Sequence, residues 1–368
     1  MLLKLTHLTD LTYDASIAES VVELRMFPRQ EAQQHRLSFE LKLQPYSTVN
    51  SYFDWLGNTV HTFTINGVHD SIKIAATSVV ETEKVTVMPE TLPDTWPMRT
   101  GADYQLWDYL QFTGPVVDSP QLAELAKELY ARPGIRIGEL GQRMIRLINT
   151  RFDYEPGATT SASPVTEMLV KRKGVCQDYT HLMIALARSM KIPARYVSGL
   201  LHPDDTDVYR FRGYTQTHAW CELHFPSFGW IGFDPTNSCV AGENYVKVAV
   251  GRDYHDVPPN KGLFRGAGKE SILVSVNTTP LTSIPNDLFP EKIMPMGVAT
   301  SNGAQLPFLR QQQGGYQQAQ SQQQQGNNYA LQIAAGSAYH TQQQQQQQSP
   351  ERGGWRRVPF GPWPMRVR

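Results

Sequence analysis

The segment GVCQDY, residues 174–179, opens a predicted helix that carries a cysteine in its first turn. Gly174 frees the backbone before the helix, and the apolar pattern begins directly after Cys176. The apolar side chains recur at steps of three and four, as on one face of an amphipathic helix, at Tyr179, Leu182, Met183, Leu186 and Met190. The spacing therefore predicts a helix with Cys176 at its N-terminus.

The first turn of a helix is a place where a thiol can become reactive. Unpaired N–H groups and the positive end of the helix dipole favour a thiolate, and the same N–H groups can donate to an oxyanion that forms beside it. A cysteine at a helix start is nevertheless more often a small buried hydrophobe. Cys176 is therefore a candidate nucleophile only if a base lies within its reach.

A second informative segment, residues 217–235, has the pattern of a β-hairpin. The first strand alternates, so one face is predicted to be core and carries Ala219, Cys221, Leu223 and Phe225. The opposite face carries His218, Trp220, Glu222 and His224. A turn around residues 226–229 leads into the second strand, which ends at Asp234-Pro235.

The hairpin predicts an imidazole–carboxylate pair. With a loop of about three residues, we expect Trp220 opposite Gly232 and His218 opposite Asp234. Directly opposed residues have Cβ atoms about 5 Å apart on the same face of the sheet. Pro235 ends the ladder, so Asp234 is predicted to lie at the end of its strand.

A thiol, an imidazole and a carboxylate supply a nucleophile, a base and an orienting group. Histidine has a pKa near neutrality, so His218 can take the thiol proton and later return it to a leaving amine. Asp234 would fix the imidazole tautomer and stabilise the imidazolium. We therefore predict Cys176, His218 and Asp234 as a catalytic triad, with a structural His–Asp hydrogen bond as the alternative reading.

Several segments resemble the bacterial transglutaminase-like cysteine proteases. The runs that resemble the core of this family are residues 172–179, 192–199, 218–220 and 229–237. Residues 251–254 and 256–259 resemble its late segment, and residues 1–90, with Asp54 and Gly57-Asn58, resemble its N-terminal β domain. The resemblance covers about residues 1–295 in the family's order.

The resemblance implies an α+β fold, in which a papain-like core, with the cysteine helix packed on an antiparallel sheet, follows a β-sandwich domain. It places the nucleophile at Cys176, the base at His218 and the orienting acid at Asp234. It implies acyl transfer through a thioester and no cofactor or metal. Water as the acceptor makes a peptidase or amidase, whereas a lysine amine makes a cross-linking transglutaminase. The protease-like branch favours hydrolysis of a peptide or protein substrate.

Two further interpretations compete with an acyl-transfer enzyme. A metal site could use His218, Glu222 and His224, but Cys221 is predicted to point to the opposite face, and the sequence has no Cys-x-x-Cys or His-Glu-x-x-His pattern. A non-catalytic peptide-binding module could use the same cleft, although the intact triad residues argue against it. Trp220 and Trp230 are expected to pack in the core, and we expect Cys221 in the core and Cys239 as an unreactive thiol.

The patterns divide the chain into four parts. Residues 1–90 are predicted as a β-sandwich domain, from strand-like runs at residues 21–26, 37–43, 59–65 and 72–80. Residues 91–119 are predicted as a linker, and residues 120–296 as the catalytic domain. Helical stripes lie at residues 122–129, 140–148 and 165–170, and a further strand at residues 193–200 is followed by an acidic loop at residues 202–213.

Residues 297–368 are predicted as a disordered, glutamine-rich tail with a basic, aromatic end, because they have too few apolar residues to build a core. Six arginines and one glutamate give this tail a net charge of plus five. An acidic partner or the protein's own surface could bind it, and a functionless solvated extension is the alternative.

Composition bounds the partners and the compartment. The 368 residues have a formal net charge of zero, which gives no indication of nucleic acid or of a membrane surface as a partner. No apolar run approaches the roughly 20 residues of a spanning helix, and the first residues do not resemble a signal peptide. Three unevenly spaced cysteines are too few for a disulfide framework, so we expect a reducing, cytoplasmic setting.

Overall fold

The computed structural model describes residues 1–98, 104–203 and 217–296. The predicted tail and most of the predicted acidic loop lie outside these ranges. The strands are β1 (Leu2–Leu24), β2 (Gln34–Gln44), β3 (Val49–Phe53), β4 (Thr59–Thr82), β5 (Asp153–Tyr154), β6 (Lys173–Gly174), β7 (Ala194–Leu201), β8 (His218–Phe225), β9 (Gly229–Asp234), β10 (Cys239–Val240), β11 (Tyr245–Gly251), β12 (Asn260–Arg265), β13 (Glu270–Pro280) and β14 (Lys292–Pro295). The helices are α1 (Pro120–Lys127), α2 (Ile137–Arg151), α3 (Val165–Lys171) and α4 (Cys176–Ser189). None of the described helices is both long enough and apolar enough to span a membrane.

The first sheet is built on a long antiparallel pair, β1 and β4. The pairing shifts register between Thr12 and Glu19, and this irregularity divides both strands into two halves. The β2 strand pairs with one half of β4, and β3 pairs with the other. The halves then face each other, since the ring of Phe39 on β2 stacks on His61 of β4 at 5.2 Å. The predicted β-sandwich is therefore formed from one continuous sheet.

The last strands of the described chain also belong to the first sheet. The β13 strand pairs with the first half of β1, β12 pairs with the second half, and β14 adds to β2 in parallel. The sequence analysis assigned these three strands to a catalytic domain of residues 120–296, and in the structure they pair with strands of the N-terminal part of the chain. Without these partners, the long edge of β1 would leave a row of N–H and C=O groups unpaired.

The second sheet has five antiparallel strands in the order β10-β9-β8-β7-β11. Helix α4 packs on one face, where Leu182 and Leu186 share a core with the predicted inward residues of β8, which are Ala219, Cys221, Leu223 and Phe225. Each fully buried leucine stabilises the folded state by about 1.5–3 kcal/mol relative to an exposed one. The predicted core face of β8 is confirmed, and so is the α+β class with a cysteine helix on an antiparallel sheet.

The other face of the second sheet lies against the first sheet. Leu200, Val246 and Val248 belong to the hydrophobic core of the first sheet. The segment predicted as a linker packs on the second sheet and its helices: the indole of Trp96 donates to the carbonyl of Met190 at 2.8 Å, and the buried guanidinium of Arg188 donates to the carbonyl of Tyr109 at 3.0 Å. The second sheet is thus held between the helices and the first sheet.

Candidate active site

Cys176 is the first residue of α4, and a buried carboxylate closes the turn that it begins. The Asp178 side chain accepts a hydrogen bond from the backbone N–H of Val175 at 2.8 Å, and another from the hydroxyl of Thr159 at 2.5 Å. The first bond caps the helix, and the second ties the preceding loop to it. Burial raises the pKa of Asp178 to about 7, against these two hydrogen bonds, which lower it. Cys176 itself is half-buried, at the margin of the core between α4 and the sheet.

His218 and Asp234 form a direct, buried hydrogen bond. Nε2 of the imidazole lies 2.7 Å from Oδ2 of the carboxylate, and neither side chain is exposed. Because the carboxylate takes Nε2, the other ring nitrogen, Nδ1, is the one available to the Cys176 thiol. His218 therefore lies in direct contact with Asp234, and Cys176 lies near enough to influence the charge of the imidazole.

The charges of this pair stabilise each other. Burial lowers the pKa of His218, but the charge and hydrogen bond of Asp234, together with the smaller influence of the nearby Cys176, outweigh burial and raise that pKa to about 10. Burial raises the pKa of Asp234, and the neighbouring His218, Tyr245 and Asn237 outweigh it and hold that pKa below its ordinary value. The arrangement favours an imidazolium beside a carboxylate.

The register of the hairpin differs from the predicted one by two residues. Glu222, not Trp220, lies opposite Gly232, so His218 is not directly opposite Asp234, and that prediction was wrong. The ladder closes with Phe225 opposite Gly229, whose φ of +101° allows the turn, and only residues 226–228 form the loop. A slip of two residues keeps every side chain on its face. Asp234 therefore reaches His218 as a diagonal neighbour.

Two side chains that the sequence analysis did not assign also hold the carboxylate. Oδ2 of Asp234 accepts from the amide of Asn237 at 2.7 Å and from the hydroxyl of Tyr245 at 2.8 Å. Oδ1 accepts from the backbone N–H groups of Thr236 at 2.8 Å and of Asn237 at 3.2 Å. The run Asp-Pro-Thr-Asn is a typical signal for an aspartate that caps its own turn. No local signal indicates Tyr245, which begins a different strand.

The alternative metal site finds no support at Glu222. The carboxylate accepts from Arg195 Nε at 2.6 Å and from Lys247 Nζ at 2.6 Å, so it is committed to two cations. Within the described ranges, no group of three or more His, Cys, Asp or Glu side chains is placed to hold a metal ion. Cys221 is buried in the core as predicted, and Cys239 lies half-buried at the start of β10.

Family models and known proteins match most of this chain. Residues 124–235 match the model of the transglutaminase-like superfamily core, and residues 3–81 match the bacterial transglutaminase-like N-terminal region. An uncharacterized protein of Mycobacterium leprae is 32% identical over 281 residues, which are 76% of this chain and 99% of the relative. An uncharacterized protein of Mycobacterium tuberculosis is 30% identical over 298 residues, which are 75% of this chain and 92% of the relative.

A solved structure shows the same fold. The structure of a candidate cysteine protease from Cytophaga hutchinsonii superposes with a TM-score of 0.64 at 21% identity. The match covers 78% of this chain and 94% of that one. Most of this chain therefore has a counterpart in a known architecture.

Proposed function

The chain belongs to the transglutaminase-like superfamily, and from that premise we propose that it hydrolyses peptide or amide bonds through a thioester on Cys176. The observation that carries the proposal is the buried 2.7 Å hydrogen bond between His218 and Asp234, with the thiol of Cys176 beside the imidazole. A thiol, a base and an orienting acid in that order are the parts that cysteine-dependent acyl transfer requires.

The first half of the reaction forms the thioester. His218 takes the proton of the Cys176 thiol, and the thiolate attacks the carbonyl carbon of the substrate. The oxygen of that carbonyl becomes an oxyanion, which the first N–H groups of α4 can stabilise because they have no partner within the helix. The C–N bond then breaks, and the proton on His218 passes to the nitrogen of the leaving amine or ammonia.

The second half releases the acid and restores the enzyme. Water gives a proton to His218 and attacks the thioester carbon, the C–S bond breaks, and the proton returns to sulfur. Asp234 keeps its charge throughout, because five hydrogen bonds and the adjacent imidazolium stabilise the carboxylate. An amine in place of water would give cross-linking with the same three side chains, so the acceptor decides between the two reactions.

The decisive experiment measures alkylation of each cysteine from about pH 5 to about pH 9, read by mass spectrometry. We expect Cys176 alone to react at low pH, and this reactivity to be lost in His218→Ala. His224→Ala is the matched control, because His224 lies on the same face of β8 and should leave Cys176 unaffected. Equal, slow labelling of all three cysteines in every variant would refute the proposal.

A product assay then identifies the acceptor. Peptides with amide-bearing side chains are incubated with the protein, with and without a primary amine, and the products are weighed by mass spectrometry. Hydrolysis predicts free acid products whether or not the amine is present. Amine adducts as the main product would instead assign cross-linking.

A further inference from the structure

One oxygen of the candidate triad acid receives three hydrogen bonds. Oδ2 of Asp234 accepts from His218, Asn237 and Tyr245, at 2.7 Å, 2.7 Å and 2.8 Å. We propose that Tyr245 is a positioning residue that tunes the acid–base balance of His218 by competing with the imidazole for this oxygen. The inference rests on the proposed function for its meaning in catalysis, but its physical content can be tested without a substrate.

Packing fixes the position of the Tyr245 side chain. The side chain is buried, and its ring lies edge-on to Trp220 at 5.2 Å and tilted against His218 at 6.1 Å. Its backbone N–H donates to the carbonyl of Gly242 at 3.1 Å, which holds the start of β11. The packing therefore keeps the phenol oxygen within hydrogen-bond distance of Asp234.

The second neighbour of the hydroxyl, Cys239, is compatible with a hydrogen bond from the hydroxyl to Asp234. Sγ of Cys239 lies 3.1 Å from the phenol oxygen, and a thiol can donate to that oxygen while the phenol donates onward. Burial first, and then the charge of Asp234, raises the pKa of Tyr245 well above its ordinary value. Tyr245 therefore stays a protonated donor throughout the working pH range.

The titratable groups near His218 come from several elements. Cys176 of α4 and Asp234 of β9 act on the imidazole directly. Tyr245 of β11 contacts Asp234, and Cys239 of β10 contacts Tyr245. On the neighbouring strand β7, Gly199 lies opposite His218. Burial first, and then the charge of Cys176, raises the pKa of Tyr196 on the same strand. Asp234 is the charge in contact with the imidazole, so any group that shares Oδ2 acts on His218 through it.

The sign of the effect follows from charge compensation. A hydrogen bond to a carboxylate is stronger when the carboxylate charge is not already offset. The bond from Tyr245 therefore stabilises the state with neutral His218 more than the state with an imidazolium next to Asp234. It lowers the proton affinity of His218, and removal of the hydroxyl should raise the pKa of His218, by roughly half a unit to one unit.

The tuning matters because the imidazolium must give its proton to a leaving amine. A general acid works best when its pKa lies near the operating pH, and an imidazolium that holds its proton more tightly is a poorer acid. We expect Tyr245→Phe to lower kcat about threefold to tenfold with little change in KM. The alkaline limb of the pH–rate profile should move upward with the pKa of His218.

The test compares Tyr245→Phe with Tyr179→Phe in the full chain. Tyr179 is also buried, and its hydroxyl donates to the carbonyl of Phe152 at 2.9 Å, away from Asp234. The primary readout is the titration of the His218 imidazole by NMR with isotope-labelled histidine, and the second is the pH profile of Cys176 alkylation. Neither readout needs a turnover, so an absent hydrolytic activity would not affect the result.

We expect an upward shift in Tyr245→Phe and no shift in Tyr179→Phe, although both lose a buried hydrogen bond. Should Tyr245→Phe fail to fold, Asn237→Ala removes another donor from Oδ2 and should shift His218 in the same direction. An unchanged or lowered His218 titration in the folded variant, or equal shifts in the variant and the control, would overturn the proposal.

Discussion

Asn58 pairs its side-chain amide with both backbone groups of Val250. The amide oxygen accepts from the N–H of Val250 at 2.8 Å, and the amide nitrogen donates to its carbonyl at 2.8 Å. Asn58 lies at the turn before β4 in the first sheet, whereas Val250 lies in β11 of the second. One side chain therefore extends the hydrogen-bonded ladder from one sheet to the other.

Replacement of Asn58 by alanine should destabilise the whole chain. It leaves two backbone groups of Val250 unpaired in a buried setting, and each buried unpaired group costs about 1–3 kcal/mol. We expect a loss of about 3 kcal/mol in the free energy of unfolding, measured with denaturant. Asn50→Ala, at an exposed position of β3, should change stability by less than about 0.5 kcal/mol. Equal effects of the two variants would contradict the assigned role.

Gly199→Ala should damage the site through packing. A Cβ at this position would overlap the carbonyl of Val246 and the ring of Trp220, which stacks near His218. Because Trp220 must move, we expect the free energy of unfolding to fall by about 1–3 kcal/mol and the alkylation of Cys176 at low pH to become slower. Gly242→Ala is the control, since a Cβ at that position would lie 3.5 Å from Asn244 Oδ1, which is an ordinary contact. Normal Cys176 reactivity in Gly199→Ala would show that Trp220 does not position the imidazole.

Glu222→Gln should destabilise the folded protein at neutral pH and leave its stability unchanged in acid. Burial raises the pKa of Glu222, but Arg195 and Lys247 outweigh burial and hold it at about 2. Since the folded-state pKa lies below the unfolded one, the stabilisation is present above about pH 4.5 and is lost as the pH falls through about 2. We expect the free energy of unfolding of Glu222→Gln to be lower than that of the wild type by on the order of 3 kcal/mol at neutral pH, and this difference to become smaller in acid. A gap independent of pH in denaturant titrations would contradict this expectation.

Asp178→Asn should show the opposite dependence on pH. The folded-state pKa of Asp178, about 7, lies above its ordinary value, mainly because of burial. The unfolded chain therefore releases this proton more readily, and the wild type loses stability as the pH rises from about 4 to about 7. Over that range the free energy of unfolding of the asparagine variant should rise relative to that of the wild type, by up to ~4 kcal/mol. Parallel unfolding experiments with denaturant on the two proteins across this pH range check the expectation.

The cysteine helix and the core face of β8 could be predicted because their signals are local. Steps of three and four marked α4, and strict alternation marked Ala219, Cys221, Leu223 and Phe225. Both patterns arise from residues that bury one side against a core, whatever the rest of the chain does. The predicted helices α1, α2 and α3 follow the same rule.

The register at His218 could not be fixed in this way. Alternation shows which face a residue is on, but a slip of two residues leaves every face unchanged. The positive φ of Gly229 and the position of the three-residue loop decide the register, and neither is visible in the alternating pattern. His218 and Asp234 still form a hydrogen bond in the observed register, because diagonal neighbours also lie within reach of long side chains.

Tyr245 and the edges of the first sheet depend on contacts between distant segments. Tyr245 meets Asp234 only because β11 joins the far side of β7, and no motif around it indicates a role. Asn66-Gly67 has the composition of a turn but lies inside β4, where Gly67 adopts a φ of +117°. Sequence patterns of period two describe strands well, but they do not identify which strands pair.

The pairing of β1 with β12 and β13 also bears on how the protein is made. Leu5 lies opposite Thr278, and Val22 lies opposite Gly262, so both partners leave the ribosome long after β1 itself. Until then the nascent chain carries an open strand edge, which can pair with other chains. Such distant pairings also slow folding, since the ends of a long loop must meet first. We expect synthesis in the cell to depend on chaperones that cover β1, and chains interrupted before residue 260 to aggregate.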